Sequence, residues 1–402
     1  MIEFTGSKNK TEVIQMKKYY NMTTFLTIGI YSILTTFYFP YLNQEIGLSL
    51  VEVGQVVSIG ALFTIIAQPL LSNRFSNSKN KNKFILTYLA IVFIAIVGLM
   101  FINKDLAIVF APFYGLLLSP MVGVFEIYIE ELSIKNGYEF SDIRKWGSIG
   151  FGFIVFLSGI IINKFGYKTL HIIALAIILV IMAIIFFNFK ETLDRKEQKK
   201  NAKVLDLFRN KNLILLILVV FLGMGSYMGL DFAYSSYLVD IVGDFDKANN
   251  IYSYSISFRV VIEFFSFLII AKYLSKANSK RCLIIALSIA CIRLILFSSG
   301  NLLLIVFGDQ LHGILYGLYL TFIFKYLREI LDESLIATSF AILSVLSTGG
   351  SNFIYPSIYS FMQQKFGYGG MYISGAILVF ISIIILVIFL PKANRQNNMI
   401  KA

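Results

Sequence analysis

Apolar segments long enough to cross a lipid bilayer recur along most of this chain. A transmembrane helix needs about 20 predominantly apolar residues to span roughly 30 Å of hydrocarbon, and helices of soluble domains are usually shorter. The segments of this length are residues 19–42, 49–72, 84–102, 106–130, 144–164, 167–188, 213–239, 250–274, 282–299, 302–325, 338–362 and 367–390. The pattern therefore predicts an all-α membrane protein with twelve transmembrane helices.

The composition agrees with this prediction. Of the 402 residues, 57% are hydrophobic and 14% are charged, whereas a soluble domain carries about 25% charged residues. The net charge of +12 comes from Lys and Arg in loops between apolar segments, so topology explains it better than nucleic-acid binding. Cys282 and Cys291 lie about 13 Å apart along one helix, too far for a disulfide. No metal-ligand spacing is present, and we expect neither a metal nor another bound cofactor.

Basic residues are concentrated in alternate loops. Most Lys and Arg lie in the loops after the even-numbered spans, and the two tails belong to the same set. Positively charged loops stay on the cytoplasmic side of a membrane. We therefore expect a multi-pass protein of a prokaryotic plasma membrane, with both termini in the cytoplasm.

The longest polar stretch divides the predicted spans six to six. We predict a cytoplasmic tail at 1–18, a six-helix bundle at 19–188, a linker at 189–212, a second bundle at 213–390 and a tail at 391–402. No strong internal sequence repeat is visible. Twelve helices with a central linker are typical of transporters built from two pseudo-symmetric halves around a midplane site.

Ionisable residues inside the spans are the candidates for function. A charge at the bilayer centre costs at least about 2.5–3.5 kcal/mol, so such a side chain faces a cavity or a partner. In the first six spans these residues are Glu126, Glu130 and Arg144, and in the last six they are Asp231, Arg259, Glu263, Arg293, Asp309 and His312.

Glu126 and Arg144 lie on consecutive spans joined by a short loop, so their charges can meet across an antiparallel helix pair. A carboxylate and a guanidinium both offer the fork geometry that suits the vicinal hydroxyls of a sugar. The alternative is an ion pair between helices that binds no ligand. Phe151 lies two helical turns after Arg144 and either stacks on a sugar ring or packs against a neighbour. Glu130 is one turn nearer the loop than Glu126 and can reach water.

The later spans suggest a proton-coupling network. Asp309 and His312 are three residues apart on one face of the tenth span, and histidine exchanges protons near neutral pH. Glu263 and Arg293, on the eighth and ninth spans, can complete such a network. The alternatives are a local ion pair between Glu263 and Arg259, and a histidine that only packs.

Several segments resemble a known transporter family. They are YFPYL, AQPLLSNRF, FEIYIEELSIKNGYEFSDIRKWGSIGF, IEFFSFLIIAKYL, IRLILFSS and QLHGILYG. Together they make the chain similar to the oligosaccharide:proton symporters of the major facilitator superfamily, the lactose permease among them. RKWGSIGF and LHGILYG are also similar to the phenylpropionate-permease-type and nucleoside-symporter-like branches. The resemblance implies the fold of that superfamily, with two six-helix halves.

The resemblance also implies roles for single residues. Glu126 and Arg144 match the sugar-binding carboxylate and guanidinium, and Phe151 falls at the position of a stacking aromatic. Glu263 matches the acid that links sugar binding to protonation, while Arg293 and His312 match the coupling network.

Three positions depart from the family pattern. Leu315 stands where the family has its proton-carrying Glu, and Asp309 stands where the lactose permease has a lysine. Asp231 matches one of two acids on the seventh span, and the other is replaced by Met228. We therefore expect Asp309, with Glu263 or Asp231, to carry the proton.

The sequence thus predicts a proton-coupled symporter that imports a small hydroxylated solute, most simply a sugar or oligosaccharide, by alternating access. We expect a monomer with no partner besides lipid and solute, and no cofactor besides the proton. Alternatives with the same fold carry a nucleoside or an aromatic acid, or export drugs. A transport-dead solute sensor is a further alternative. An intramembrane enzyme is disfavoured, because the sequence offers neither a nucleophile with a base nor clustered metal ligands.

Overall fold

The computed structural model describes residues 10–189, 210–274, 276–331, 339, 342–343 and 345–391. Within these ranges the chain is almost entirely helical and contains no β-strand, which confirms the predicted all-α class. Most of the predicted linker and tails, at 190–209, 1–9 and 392–402, lies outside the described residues.

The described part of the chain contains ten continuous helices long and apolar enough to cross a membrane. In chain order they are Gln15–Glu45 (α1), Leu50–Ser76 (α2), Lys81–Leu99 (α3), Lys104–Lys135 (α4), Phe140–Asn188 (α5 and α6), Lys211–Val242 (α7), Phe245–Tyr273 (α8), Ser279–Ser298 (α9), Leu302–Ile330 (α10) and Ser351–Phe389 (α11 and α12).

Two of these helices are each divided by a glycine. Gly166 has φ 76° and Gly367 has φ 68°, a left-handed conformation that other residues rarely adopt. The chain reverses at both points, so α5 is 140–165, α6 is 167–188, α11 is 351–366 and α12 is 368–389. Counted in this way, the described residues form the twelve spans that the sequence predicts.

Large apolar side chains cover the outside of the helices. Ile94 is 69% exposed, Phe186 is 68% exposed and Ile388 is 65% exposed. A soluble protein rarely leaves so many such side chains in water. Because a bilayer accepts them and helices satisfy their own backbone hydrogen bonds, the surface is that of a membrane protein.

The two ends of the helices differ in how the first six spans contact the last six. The far end is the one that holds the loops after α1, α3, α7 and α9, and the near end holds the loops after α2, α4 and α8. At the far end Asn249 Nδ2 donates to Gln44 Oε1 at 3.0 Å, and Ser236 Oγ donates to Asn43 Oδ1 at 3.0 Å. The hydroxyl of Ser58, in the far half of α2, lies 2.8 Å from that of Ser357 in α11.

Helices α5 and α8 move apart toward the near end. A methyl group on Gly159 would lie 2.0 Å from Ser253 Oγ, so the two backbones are in close contact there. Two turns nearer the other end, a methyl on Gly152 would lie 3.7 Å from the Ser257 carbonyl. An apolar groove of about 680 Å³ lies between the helices over residues 148–156 of α5 and 254–264 of α8. Tyr252 OH donates to the Thr36 carbonyl and Asn163 Nδ2 donates to the Asp246 carbonyl, and both of these bonds also join the first six and last six spans in the far half.

The near end carries a repeat that the sequence does not make obvious. In the first six spans, Asn80 caps α3, Lys81 forms an ion pair with Glu131 of α4, and Asn82 donates to the Phe189 carbonyl after α6. Tyr128 OH donates to Asn82 Oδ1 at 2.7 Å. The start of α3 therefore joins the ends of α4 and α6.

The last six spans repeat these contacts. Asn278 caps α9, Ser279 Oγ donates to Glu329 Oε1 of α10 at 2.7 Å, and Lys280 Nζ donates to the Leu390 carbonyl after α12 at 2.6 Å. Tyr326 lies three residues before Glu329, just as Tyr128 lies three residues before Glu131. The hydroxyl of Tyr326 donates to the Pro391 carbonyl. We call these two sets of contacts the near-end clasps. They place α3, α4 and α6 in correspondence with α9, α10 and α12.

Candidate substrate and coupling site

Arg144 and Glu126 meet between α5 and α4, as the sequence predicts. Arg144 Nε donates to Glu126 Oε1 at 2.5 Å, and Arg144 Nη1 lies 3.4 Å from Ser148 Oγ one turn further along α5. The side chains of Arg144 and Glu126 remain 36% and 33% exposed. The pair therefore borders open space and keeps hydrogen-bonding capacity for a further molecule.

The aromatic neighbours of this pair differ in their surroundings. Phe151 is half-buried and packs against the apolar core, and Trp146 is 38% exposed. Glu130 is exposed, in agreement with a side chain that reaches water. Stacking of Phe151 on a solute remains a prediction.

Four charged side chains from α7, α8, α9 and α10 form one cluster, which we call the charge quartet. Its members are Asp231, Arg259, Arg293 and Asp309. Arg293 Nη2 lies 2.8 Å from Asp309 Oδ1 and 3.2 Å from Asp231 Oδ1. Arg259 Nη1 lies 3.2 Å from Asp309 Oδ1 and 3.6 Å from Asp231 Oδ2. Two carboxylates thus balance two guanidiniums, which makes burial of the charges tolerable.

The quartet is deeply buried on one side. Asp309 is 0% exposed and Arg293 is 1% exposed, whereas Asp231 is 29% exposed. Ser255 Oγ donates to Asp309 Oδ2 at 2.7 Å, which occupies the second oxygen of that carboxylate. Asp231 is therefore the acid of the quartet with the greatest access to a cavity.

His312 is bound to a tyrosine rather than to Asp309. Its Nδ1 lies 2.6 Å from Tyr227 OH, and its ring stacks between those of Tyr227 and Tyr316 at centroid distances of 5.7 and 5.3 Å. The guanidinium carbon of Arg293 lies 4.8 Å from the centre of the Tyr227 ring. Tyr227 therefore connects the histidine to the quartet.

Glu263 lies outside the quartet. Arg259, four residues earlier on α8, is paired with Asp231 and Asp309 instead, so the alternative of a local ion pair between Arg259 and Glu263 is wrong. Glu263 is partly exposed and forms no ion pair within 4.0 Å among the described residues. Its backbone packs on Gly313, where an added methyl would lie 2.6 Å from the Glu263 nitrogen.

Tyr316 joins the two groups of charges. It lies on α10 one turn after His312, with its ring centroid 5.3 Å from that of the histidine, and it is within electrostatic range of Glu263, Arg144 and Glu126. Asp309, His312 and Tyr316 occupy one face of α10 at i, i+3 and i+7. This face therefore leads from the quartet to the Glu126–Arg144 pair.

Sequence reasoning missed the roles of Arg259, Tyr227, Ser255 and Tyr316. The sequence offers Glu263 as the obvious partner of Arg259, because it lies one turn further along the same helix. Ser255 precedes Arg259 by four residues, and this spacing could have placed both on the face of α8 that meets α10. The tyrosines carry no such signal among the 23 in the chain. Within the described residues, no group of three His, Cys, Asp or Glu side chains could hold a metal ion.

The fold and the intramembrane charges define a multi-pass membrane transporter of the major facilitator type. The chain belongs to the MFS_1-like family, which it matches over residues 17–391. This confirms the resemblance drawn from the sequence motifs, and it identifies the protein as a transporter rather than an enzyme.

Curated relatives include two sugar permeases of Escherichia coli. The raffinose permease is 31% identical over 157 residues, which cover 35% of this chain and 37% of that protein. The sucrose permease is 23% identical over 296 residues, which cover 71% of this chain and 70% of that protein. The first match thus spans little more than a third of its relative.

Solved structures share the fold at low sequence identity. The nucleoside transporter NupG aligns with a TM-score of 0.76 at 14% identity over 92% of this chain and 97% of that one. A D-xylose-proton symporter aligns with a TM-score of 0.71 at 12% identity over 95% of this chain and 99% of that one. At these identities the likeness concerns the fold alone.

Proposed function

We propose that this protein is a proton-coupled symporter that imports a small hydroxylated solute, a sugar or oligosaccharide. The observation that carries the proposal is the Glu126–Arg144 pair, which is held at hydrogen-bond distance while about a third of each side chain stays accessible. The exposed part of each side chain leaves donor and acceptor atoms that a solute can bind. The names of the two permease relatives support a carbohydrate as the solute.

Glu126 and Arg144 bind the solute in this proposal. The carboxylate accepts hydrogen bonds from one or two hydroxyls, and the guanidinium donates to neighbouring oxygens in fixed fork geometry. Phe151, two turns along α5, contributes an apolar surface to the same site. No cofactor is required besides the coupling proton.

The acids of the later spans carry the proton. The charge quartet is neutral as two acids and two guanidiniums, so protonation of Asp309 or Asp231 leaves an excess positive charge among α7, α8, α9 and α10. Glu263 lies near the Glu126–Arg144 pair and forms no ion pair among the described residues. His312, Tyr227 and Arg293 connect these acids, so a proton taken up by one of them alters contacts along α10.

Alternating access moves the predicted bundles 19–188 and 213–390 about this site. With the near end in the cytoplasm, as the loop charges indicate, the contacts at the far end close the outer side of the membrane. We place the protein as a monomer in a prokaryotic plasma membrane with both termini in the cytoplasm.

Counterflow into proteoliposomes tests the identity of the solute. Labelled sucrose, raffinose, xylose and uridine are offered in parallel, with Glu126→Gln as the control that lacks the binding carboxylate. The proposal predicts exchange of at least one sugar and none in Glu126→Gln. Exchange of uridine alone would replace the sugar by a nucleoside and contradict the proposal.

The proton carrier is identified by three single variants, Asp309→Asn, Asp231→Asn and Glu263→Gln. Counterflow needs no net proton movement, whereas uphill accumulation does. We expect the carrier's variant to retain counterflow and to lose accumulation. If Asp309→Asn accumulates solute as the wild type does, Asp309 is not the carrier.

A further inference from the structure

The apolar groove between α5 and α8 opens toward the bilayer. Phe153 and Phe258 on its walls are 52% and 58% exposed, and Val261 is 46% exposed. Val261 lies two residues after Arg259 and therefore on nearly the opposite side of α8. Because Arg259 points into the charge quartet, the groove faces hydrocarbon and not the interior of the bundle.

The depth of the groove is close to that of one leaflet. Its wall on α8 runs from Tyr254 to Phe264, a rise of about 15 Å, which is half of the roughly 30 Å of hydrocarbon in a bilayer. Trp146 and Tyr273, at the near ends of α5 and α8, are 38% and 68% exposed, as is usual for such side chains at the membrane interface. The groove therefore extends from the near-end interface toward the bilayer centre.

The groove ends where the two helices meet. The rings of Phe156 and Tyr254 stack there with their centroids 5.0 Å apart and an angle of 27° between the planes. Gly159 contacts Ser253 about one turn further on. Because the helices diverge in the other direction, the groove has a closed inner end and an open outer end. This shape suits a long, narrow ligand that enters from the near-end interface.

The two serines of the groove already have partners. Ser257 Oγ donates to the Ser253 carbonyl at 2.7 Å, and Ser148 Oγ lies 3.4 Å from Arg144 Nη1. The other side chains that line the groove are aliphatic or aromatic. A sugar in this groove would leave hydroxyls without hydrogen bonds, which is unfavourable, whereas a hydrocarbon chain requires none. The bilayer beside the groove supplies such chains.

A lysine lies where the headgroup of a lipid in this groove would be. Lys272 follows Val261 by about three turns on the same face of α8, close to the near end of that helix. Its side chain is exposed, and its Nζ lies 5.0 Å from the centre of the Tyr273 ring. A lysine near the end of a membrane helix extends to the interface and attracts lipid phosphate. Lys272 therefore places a cation in line with the groove at the level of the phosphates.

We propose that the groove binds one acyl chain of a phospholipid from the near-end leaflet, with the lipid phosphate beside Lys272. The chain fills the space where α5 and α8 diverge, and it thereby stabilises the arrangement in which these helices are apart. Ser148 lines the groove and contacts Arg144, so α5 carries the lipid on one side and the Glu126–Arg144 pair on another. The inference concerns the lipid and holds whichever solute is transported.

The single tryptophan of the chain allows the lipid to be located by fluorescence. In a Trp146→Phe background, Phe258→Trp places a tryptophan in the groove, and Phe186→Trp places it on α6, at a site that is 68% exposed and outside the groove. Each purified protein is titrated in detergent with a phospholipid whose acyl chains carry bromine, which quenches tryptophan on contact. Quenching of Phe258→Trp should saturate near one lipid per protein, as for a single site, and Phe186→Trp should need at least about tenfold more lipid.

Two variants fill the groove from its two walls. The atom nearest to a methyl on Gly152 would lie 3.7 Å away, so Gly152→Leu extends into the groove from α5, and Val260→Phe does so from α8. In each variant the lipid affinity measured with Phe258→Trp should fall about tenfold or more. Unchanged quenching of Phe186→Trp in the same variant reports an intact fold, and if one of the two variants does not fold, the other decides.

A lysine variant tests the position of the phosphate. Lys272→Gln should weaken lipid binding about fivefold, because one lysine at the interface attracts the phosphate. Lys168→Gln is the matched control, since Lys168 is also exposed but lies at the far end of α6, and this variant should bind lipid as the parent protein does.

Saturation near one lipid per protein, abolished when the groove is filled, supports the proposal. If Phe258→Trp and Phe186→Trp depend on lipid in the same way, the groove contacts only bulk lipid and the proposal is refuted. Saturable quenching that survives both Gly152→Leu and Val260→Phe would place the chain elsewhere and also refute it. Equal binding by Lys272→Gln and its control would refute the position given to the phosphate.

Discussion

Arg144 and Glu126 lie within hydrogen-bond distance of each other, yet neither side chain is fully buried. Full burial of an ion pair removes water from both charges, and the loss can exceed the attraction between them. A partly accessible pair avoids that loss and leaves oxygen and nitrogen atoms free for a ligand. This geometry supports the proposed role of these residues in solute recognition.

Substitution of Arg144 by lysine tests this role. Lysine keeps the charge and loses the planar fork, so we expect uptake at limiting solute to fall roughly tenfold to 100-fold. Thermal unfolding of the purified protein should change little, because the pair is partly solvated. Uptake within about twofold of the wild type would show that the fork geometry is dispensable.

Lys145→Gln is the control at the neighbouring position. Lys145 forms a surface ion pair with Asp142 at 3.0 Å, and both side chains are nearly half exposed. Such a pair contributes about 0–1 kcal/mol to stability. We expect normal uptake and normal unfolding from this variant.

At the scale of helices, the charge quartet and the near-end clasps hold neighbouring elements together by polar contacts. The quartet joins α7, α8, α9 and α10 through opposed charges, of which Asp309 and Arg293 are buried. The clasps join α3 to α4 and α6, and α9 to α10 and α12. Both clasps contain a Glu near the end of a helix, but the partner of Glu131 is the charged Lys81 and the partner of Glu329 is the neutral Ser279. The same substitution of the two glutamates should therefore have different effects on stability.

Restoring charge balance should rescue a broken quartet. Arg293→Gln leaves two carboxylates with one guanidinium and should destabilise the fold by about 3–5 kcal/mol. The double variant Arg293→Gln with Asp309→Asn is neutral again and should recover part of that loss. Thermal unfolding in detergent measures both. A double variant that is less stable than the single one would show that charge balance does not hold the quartet.

The two clasps offer a matched comparison. Glu131→Ala leaves the fully buried Lys81 without its carboxylate and should cost about 3–5 kcal/mol. Glu329→Ala removes a bond from a serine hydroxyl and should cost about 1 kcal/mol. The measurement is the free energy of unfolding of the two variants. Equal losses of stability would show that the buried charge of Lys81 does not depend on Glu131.

For the molecule as a whole, the described hydrogen bonds between the first six and last six spans lie in the far half. Helices α5 and α8 diverge toward the near end. With the near end in the cytoplasm, as proposed above, this arrangement corresponds to a state that is closed outside and open to the cytoplasm. Transport then requires these far-end contacts to break once per cycle.

A cross-link across the far end should stop that cycle. Asn43 and Ser236 are in hydrogen-bond contact, so Asn43→Cys with Ser236→Cys can be oxidised to a disulfide in a chain that lacks Cys282 and Cys291. Uptake should disappear under oxidation and return after reduction. Undiminished uptake by the cross-linked protein would show that the far end does not open during transport.

The sequence predicted the helices and the contact between Glu126 and Arg144 because both depend on local features. Span length, loop charge and the short α4–α5 connection bring Glu126 and Arg144 together without further information. The partners of Arg259 and His312 depend on how α7, α8, α9 and α10 rotate and cross, which no local pattern specifies. The sequence does not predict the clasps, because the equivalent positions hold a charged residue, Lys81, and a neutral one, Ser279. The repeat is visible only in the contacts that these residues make.

The central claim is that solute bound at Glu126 and Arg144 moves together with a proton. Its most direct test is the pH change outside proteoliposomes or cells when the sugar identified by counterflow is added without any imposed gradient. We predict prompt alkalinisation with the wild type and none with Glu126→Gln. Sugar entry by the wild type with no change in external pH would contradict the claim.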